Sequence, residues 1–140
     1  MIKVIVALLL STAIYASCLI EELGGDYRFM TYNGDNEISR TQLLAMYSGR
    51  INNWSSGIPI SIYVRPYNDY SQNHMVITIL GISPNTFHQY TKTNRRIKVV
   101  KKCHLIAKVK GKIGSIGLVD ENTALLNVNG LVSVVRITDE

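Results

Sequence analysis

What this 140-residue chain lacks narrows its chemistry first. It has two cysteines, Cys18 and Cys103, and three histidines, His74, His88 and His104, and no set of these has metal-ligand spacing. No metal site is expected. No serine stands in a Gly-x-Ser-x-Gly elbow, and no glycine-rich loop leads into a lysine as in a phosphate-cradling loop. Asp35 with Glu37, and Asp120 with Glu121, are neighbours only in sequence, in stretches rich in turn formers where solvated carboxylates are expected. Neither catalysis nor a cofactor is expected. There is no low-complexity tract, heptad run or internal repeat, and no Pro- or Gly-rich linker divides the chain. One domain over residues 18–140 follows from that length.

Acidic residues are also missing between Asp69 and Asp120, where Lys92, Arg95, Arg96, Lys98, Lys101, Lys102, Lys108, Lys110 and Lys112 all fall. The chain carries a formal net charge of +5, and this block supplies most of its positive field. Acidic envelope polymers or anionic lipid are the partners such a block suits. Specific nucleic-acid binding is not expected, because the nearby Phe87 and Tyr90 are spaced like core residues rather than as a stacking platform.

One apolar run stands out, Val4 to Ala16, behind the single charge of Lys3 and followed by the small residues Ala16-Ser17. It has the length and order of a signal peptide and is shorter than the roughly 17–25 residues that span a bilayer. Residues 1–17 are therefore expected to direct export to the periplasm or cell envelope. Tyr15-Ala16-Ser17-Cys18 half-resembles a lipobox, so three fates stay open for Cys18: a lipid anchor, a disulfide with Cys103, or an incidental thiol. Membrane contact is expected only through that anchor.

Beyond it, turn and cap residues punctuate alternating strands and helices. Strands are expected at Tyr27–Tyr32, Ile58–Val64 (with Ser61 and Tyr63 on its more polar face), Ile97–Val100, Ser115–Val119 and Leu131–Ile137. Helices are expected over Arg40–Ser48, Tyr70–Leu80, Pro84–Thr91 and Lys101–Lys110, the last presenting Cys103, Ile106, Ala107 and Lys110 along one side. Asp120–Asn129 reads as a loop. Ser39 with Gln42 forms a capping box, and Gly49 supplies the left-handed stop. Trp54, the only tryptophan, then pins the joint between this helix and the strand ending at Val64. The order predicts an α/β sheet covered by helices.

The stretch Tyr47-Ser48-Gly49-Arg50, followed by Trp54 and Gly57, resembles the periplasmic phosphate-binding proteins, the solute receptors of phosphate ABC importers. The likeness continues through Arg65, Ile79-Leu80-Gly81, Ser83-Pro84 and Lys112-Ile113-Gly114-Ser115-Ile116-Gly117-Leu118-Val119, from about Ile38 to Val119. It implies a type II periplasmic-binding-protein-like fold with a mixed sheet covered by helices. Full members are two-lobed and clamp their ligand between lobes, so this chain is expected to form a single lobe. The resemblance also implies an oxyanion site in which Arg65 precedes a Ser-Gly-Thr cluster. That cluster aligns here with Asp69, Tyr70 and Ser71, leaving Arg65 and Ser71 as candidate ligands for phosphate or another small oxyanion.

Two readings follow. In the first, the chain is a non-catalytic exported solute-binding protein working in connection with an ABC permease, with a homodimer left open as the source of a second lobe. In the second, it is an envelope interaction module that has kept the fold and lost the ligand. Asp69 then caps its helix or pairs with Arg65, and the basic stretch 92–112, centred on Lys92, Arg95, Arg96, Lys98, Lys101 and Lys102, binds acidic partners.

Overall fold

A computed structural model describes residues 26–66, 70–101 and 104–139, with the backbone alone at 70–72. The apolar segment 1–17, Cys18, Asp69, Lys102 and Cys103 lie outside the described residues or side chains.

Six strands form one mixed sheet in the order β2-β6-β1-β5-β3-β4. Strand β1 (Tyr27–Tyr32) runs antiparallel to its two neighbours, β5 (Ser115–Asp120) and β6 (Val132–Thr138). Strand β3 (Ser61–Val64) lies parallel between β5 and β4 (Ile97–Val99), while β2 (Glu37–Ser39) adds parallel to β6 at the other edge. Every residue of β5 is buried, as expected for a central strand covered on both faces.

Alternation along the strands feeds two cores. On one face Phe29, Ile62, Ile116 and Leu118 pack with Leu43 and Met46 of α1 (Arg40–Ser48), Val76 and Leu80 of α2 (Tyr70–Leu80), and Phe87 of α3 (Pro84–Thr93). On the other, Met30, Tyr63, Val119 and Val132 meet Leu105 and Val109 of α4 (Leu105–Gly111) and Ala124 of α5 (Glu121–Asn127). The result is a three-layer α/β lobe.

Local chemistry accounts for the helix ends. Ser39 Oγ accepts from Gln42 N at 3.0 Å while Gln42 Oε1 accepts from Ser39 N at 2.8 Å, completing the capping box on α1. Gly49 ends that helix at φ 86°, where its N–H returns to Ala45 and Met46. Ser83 caps α3 with Pro84 in its first turn.

Several sequence expectations are corrected. The second expected strand starts at Ser61, because Pro59 has no N–H to give a ladder and forms only an isolated bridge with Asn53. Tyr63 does not face a polar side; it is buried against α4. Helix α4 begins at Leu105 and buries Leu105 and Val109, leaving Ala107 and Lys110 exposed. The segment after β5 is a helix, capped by Asp120, whose carboxylate accepts from Thr123 N at 3.1 Å. Asp120 is accordingly buried rather than solvated.

Tyr47 is fully buried beside Phe87, and its hydroxyl has no hydrogen-bond partner among the described residues. Burial holds its ionisation far above the ordinary 10.0. The unfolded chain ionises near that ordinary value and the folded chain does not, so stability falls as pH rises past about 10. Tyr47→Phe is expected to raise stability at neutral pH by about 1 kcal/mol. It should also reduce the alkaline loss, and urea titrations at neutral and alkaline pH check both effects.

Candidate functional site

The strand connections change faces of the sheet at β3. From β3 the chain leaves to α2 and α3 on one face of the sheet, whereas from its neighbours β4 and β5 it leaves to α4 and α5 on the other. Ligands of open α/β sheets bind outside the carboxyl ends of the strands at such a reversal, because the departing loops splay apart there.

Arg65 is the first residue past β3, at this reversal, and is 2 % exposed. It is not solvated: the extended strand carries it below the surface. A buried guanidinium needs negative charge or acceptors around it, since desolvating an isolated charge costs many kcal/mol. Its fork of donors suits a carboxylate or a tetrahedral oxyanion.

Two neighbours shape this edge, and the sequence alone singled out neither for such a role. Asn73 is buried on α2, and its Nδ2 donates to Arg65 O at 3.3 Å and to Pro66 O at 2.9 Å. The side-chain amide therefore fixes the backbone where the chain leaves β3. The available signal was an amide at the helical phase of Val76 and Leu80, three and seven residues on. Asp120 closes β5, the strand beside β3, and puts a buried carboxylate on the same edge. Ser71 lies in the first turn of α2, so its backbone is at this edge too.

The basic stretch is divided rather than gathered. Arg95, Arg96 and Lys98 line an open cleft of about 700 Å³ with Ser48, Asn52 and Ser61 at the opposite, amino edge of β3. Helices α1 and α3 end there, and cations are favoured at helix C-termini. Arg96 is half-buried and its Nη1 donates to Ile60 O at 3.4 Å, so part of this charge serves the fold. Lys92 is exposed in the last turn of α3, and Lys101 is exposed beyond β4. A second cleft, about 500 Å³, lies over β1 and β6 between Arg40, Ile79 and Asp139. Arg65 lines neither. Among the described residues, no three His, Cys, Asp or Glu side chains cluster as a metal site would require, and no helix is long and apolar enough to cross a membrane.

No family model and no curated protein sequence matches the chain significantly. Solved structures do. A phosphate ABC transporter substrate-binding protein with bound phosphate from Clostridium perfringens superposes with a TM-score of 0.61 at 19% identity, covering 80% of this chain and 44% of that one. An ABC-type phosphate transport receptor from Vibrio cholerae gives 0.60 at 15% identity over 80% and 46%, and PstS from Borrelia burgdorferi gives 0.61 at 18% over 80% and 47%. The chain therefore spans less than half the length of each. The fold is that of a periplasmic binding protein. More narrowly, it is a single lobe of the form that phosphate transport receptors take, as the motifs from Ile38 to Val119 implied.

Proposed function

We propose that this chain is an exported, non-catalytic solute-binding protein that takes a small oxyanion of the phosphate class at the carboxyl edge of β3. Arg65 supplies the charge. Ser71 and the first backbone amides of α2 supply further donors, and Asn73 ties α2 to the backbone of Arg65 and Pro66. The observation that carries the reading is a buried arginine placed where the strand connections reverse. Its support is the fold shared with receptors of which one was solved with phosphate bound. By the same likeness the bound anion is handed to an ABC permease. The apolar segment 1–17 is the export signal, and Cys18 behind it is the residue available for lipidation.

Equilibrium dialysis with labelled phosphate tests the site. Arg65→Lys keeps the charge and loses the two-pronged geometry, so affinity should fall roughly 10- to 100-fold. Ser71→Ala should cost less, about tenfold. Circular dichroism melts confirm that each variant is folded. Undiminished binding by a folded Arg65→Lys protein would remove Arg65 from the site.

A further inference from the structure

Helix α5 is turned the wrong way for a helix that only covers a core. It buries Thr123 and Ala124 and leaves Leu125 and Leu126 exposed, at 61% and 74%. Folding alone would favour the reverse, since burying a leucine is worth about 1.5–3 kcal/mol.

The two leucines are not isolated. Ile113, Val128 and Leu131 are also about half exposed. Hydrogen bonds draw these segments together. Lys110 Nζ donates to Asn127 Oδ1 at 2.9 Å and joins the ends of α4 and α5. Gly114 N donates to Tyr32 O, and Asn33 N donates to Leu131 O, each at 2.8 Å, so the turns before β5 and β6 both meet the end of β1. Ile113 and Leu131 thus stand just before β5 and β6 at their amino edge, across the sheet from Arg65. The end of α5 that carries Leu125 and Leu126 is tied to the end of α4 beside them, with Val128 next in the chain. Apolar groups gathered this way on a protein surface mark a contact.

Charge identifies what is contacted. Lys108, Lys110 and Lys112 are exposed on α4 and the turn after it, in a stretch of the chain with no acidic residue. A second copy meeting this surface about a two-fold axis would set lysines against lysines. An aliphatic centre with a lysine rim instead complements an anionic lipid layer: leucines reach the acyl boundary, and lysines lie along it with their ammonium groups among the headgroups.

We infer that the edge formed by Ile113, Leu125, Leu126, Val128 and Leu131, with the lysines of α4, docks on an anionic bilayer. Docked this way, the chain turns its Arg65 edge away from the lipid. Docking of this surface is independent of what that edge binds.

The probe must sit on the surface itself, because the apolar segment 1–17 could hold the full chain on vesicles unaided. Full-length Leu126→Trp is mixed with vesicles of brominated phosphatidylglycerol or brominated phosphatidylcholine, and bromine quenches only an indole in contact with the acyl region. A Gln89→Trp variant places the same probe at an exposed position on α3, across the sheet, and the unsubstituted chain gives the Trp54 baseline. Emission from position 126 should be lost on phosphatidylglycerol and kept on phosphatidylcholine, with position 89 unquenched on both. Adding Lys110→Gln and Lys112→Gln should raise the lipid needed for half-quenching roughly 25-fold, about fivefold for each lysine. Equal quenching at 89 and 126, or none at 126, overturns the inference. So does emission at 126 that follows protein concentration and ignores lipid, which would assign the surface to a second copy.

Discussion

Trp54→Ala is expected to destabilise the chain by about 4 kcal/mol, much of the 5–15 kcal/mol that holds a typical domain together. The indole is 4% exposed and packs into the core shared by α1, α2 and α3. Its Nε1 donates to Gly114 O at 2.7 Å, tying the connection after α1 to the turn that starts β5. The backbone around it is closed as well: Trp54 N donates to Ile58 O at 2.9 Å and Gly57 N to Trp54 O at 2.8 Å. Removing the ring leaves a cavity and a buried carbonyl with one acceptor site unfilled. Trp54→Phe separates the two losses, since it keeps most of the packing and should cost about 1–3 kcal/mol for the missing donor. Urea unfolding followed by circular dichroism measures both. A Trp54→Ala protein as stable as the parent would mean that the joint is not held by this side chain.

Gly114→Ala should be comparably severe, at about 3 kcal/mol or more. Gly114 sits at φ 85°, and a Cβ there would stand 2.2 Å from Pro59 O and 2.8 Å from Ile58 Cγ2. Left-handed backbone alone costs an L-residue roughly 1–2 kcal/mol. The overlap with a backbone oxygen adds to it, because Pro59 cannot move as a flexible side chain can. Any retreat of residue 114 also strains the bonds its backbone makes to Tyr32, Ser61 and Trp54. Since both substitutions act on one joint, Trp54→Ala with Gly114→Ala should cost less than the sum of the two singly. Strict additivity in a double-mutant cycle would contradict the coupling.

Much of this architecture was legible where local chemistry decides. Helix α1 was bounded by the Ser39–Gln42 box and Gly49, α2 was expected over Tyr70–Leu80, and both fall where the residues placed them. What escaped depends on distant partners. Strand β2 is three residues long, too short to show alternation, and exists because Glu37, Ile38 and Ser39 find Arg136, Ile137 and Thr138 nearly a hundred residues on. Helix α5 hid because its leucines point outward, which destroys the amphipathic pattern that marks a helix in a sequence.

The site divides in the same way. That an arginine follows a strand and precedes a helix could be read from order alone. That it is buried, that Asn73 bonds its backbone carbonyl and that Asp120 shares its edge could not, because each fact requires β3, β5 and α2 to be assembled. The basic stretch shows the converse. Contiguous in sequence, it is parted by the fold between the amino edge of β3, the end of β4 and the outer side of α4.

Calorimetric titration of inorganic phosphate into the unsubstituted chain at low salt tests the central claim most directly. Saturable binding at micromolar strength or better, about −8 kcal/mol, is the result expected of an anion site at the carboxyl edge of β3. No heat of binding up to millimolar phosphate would contradict it.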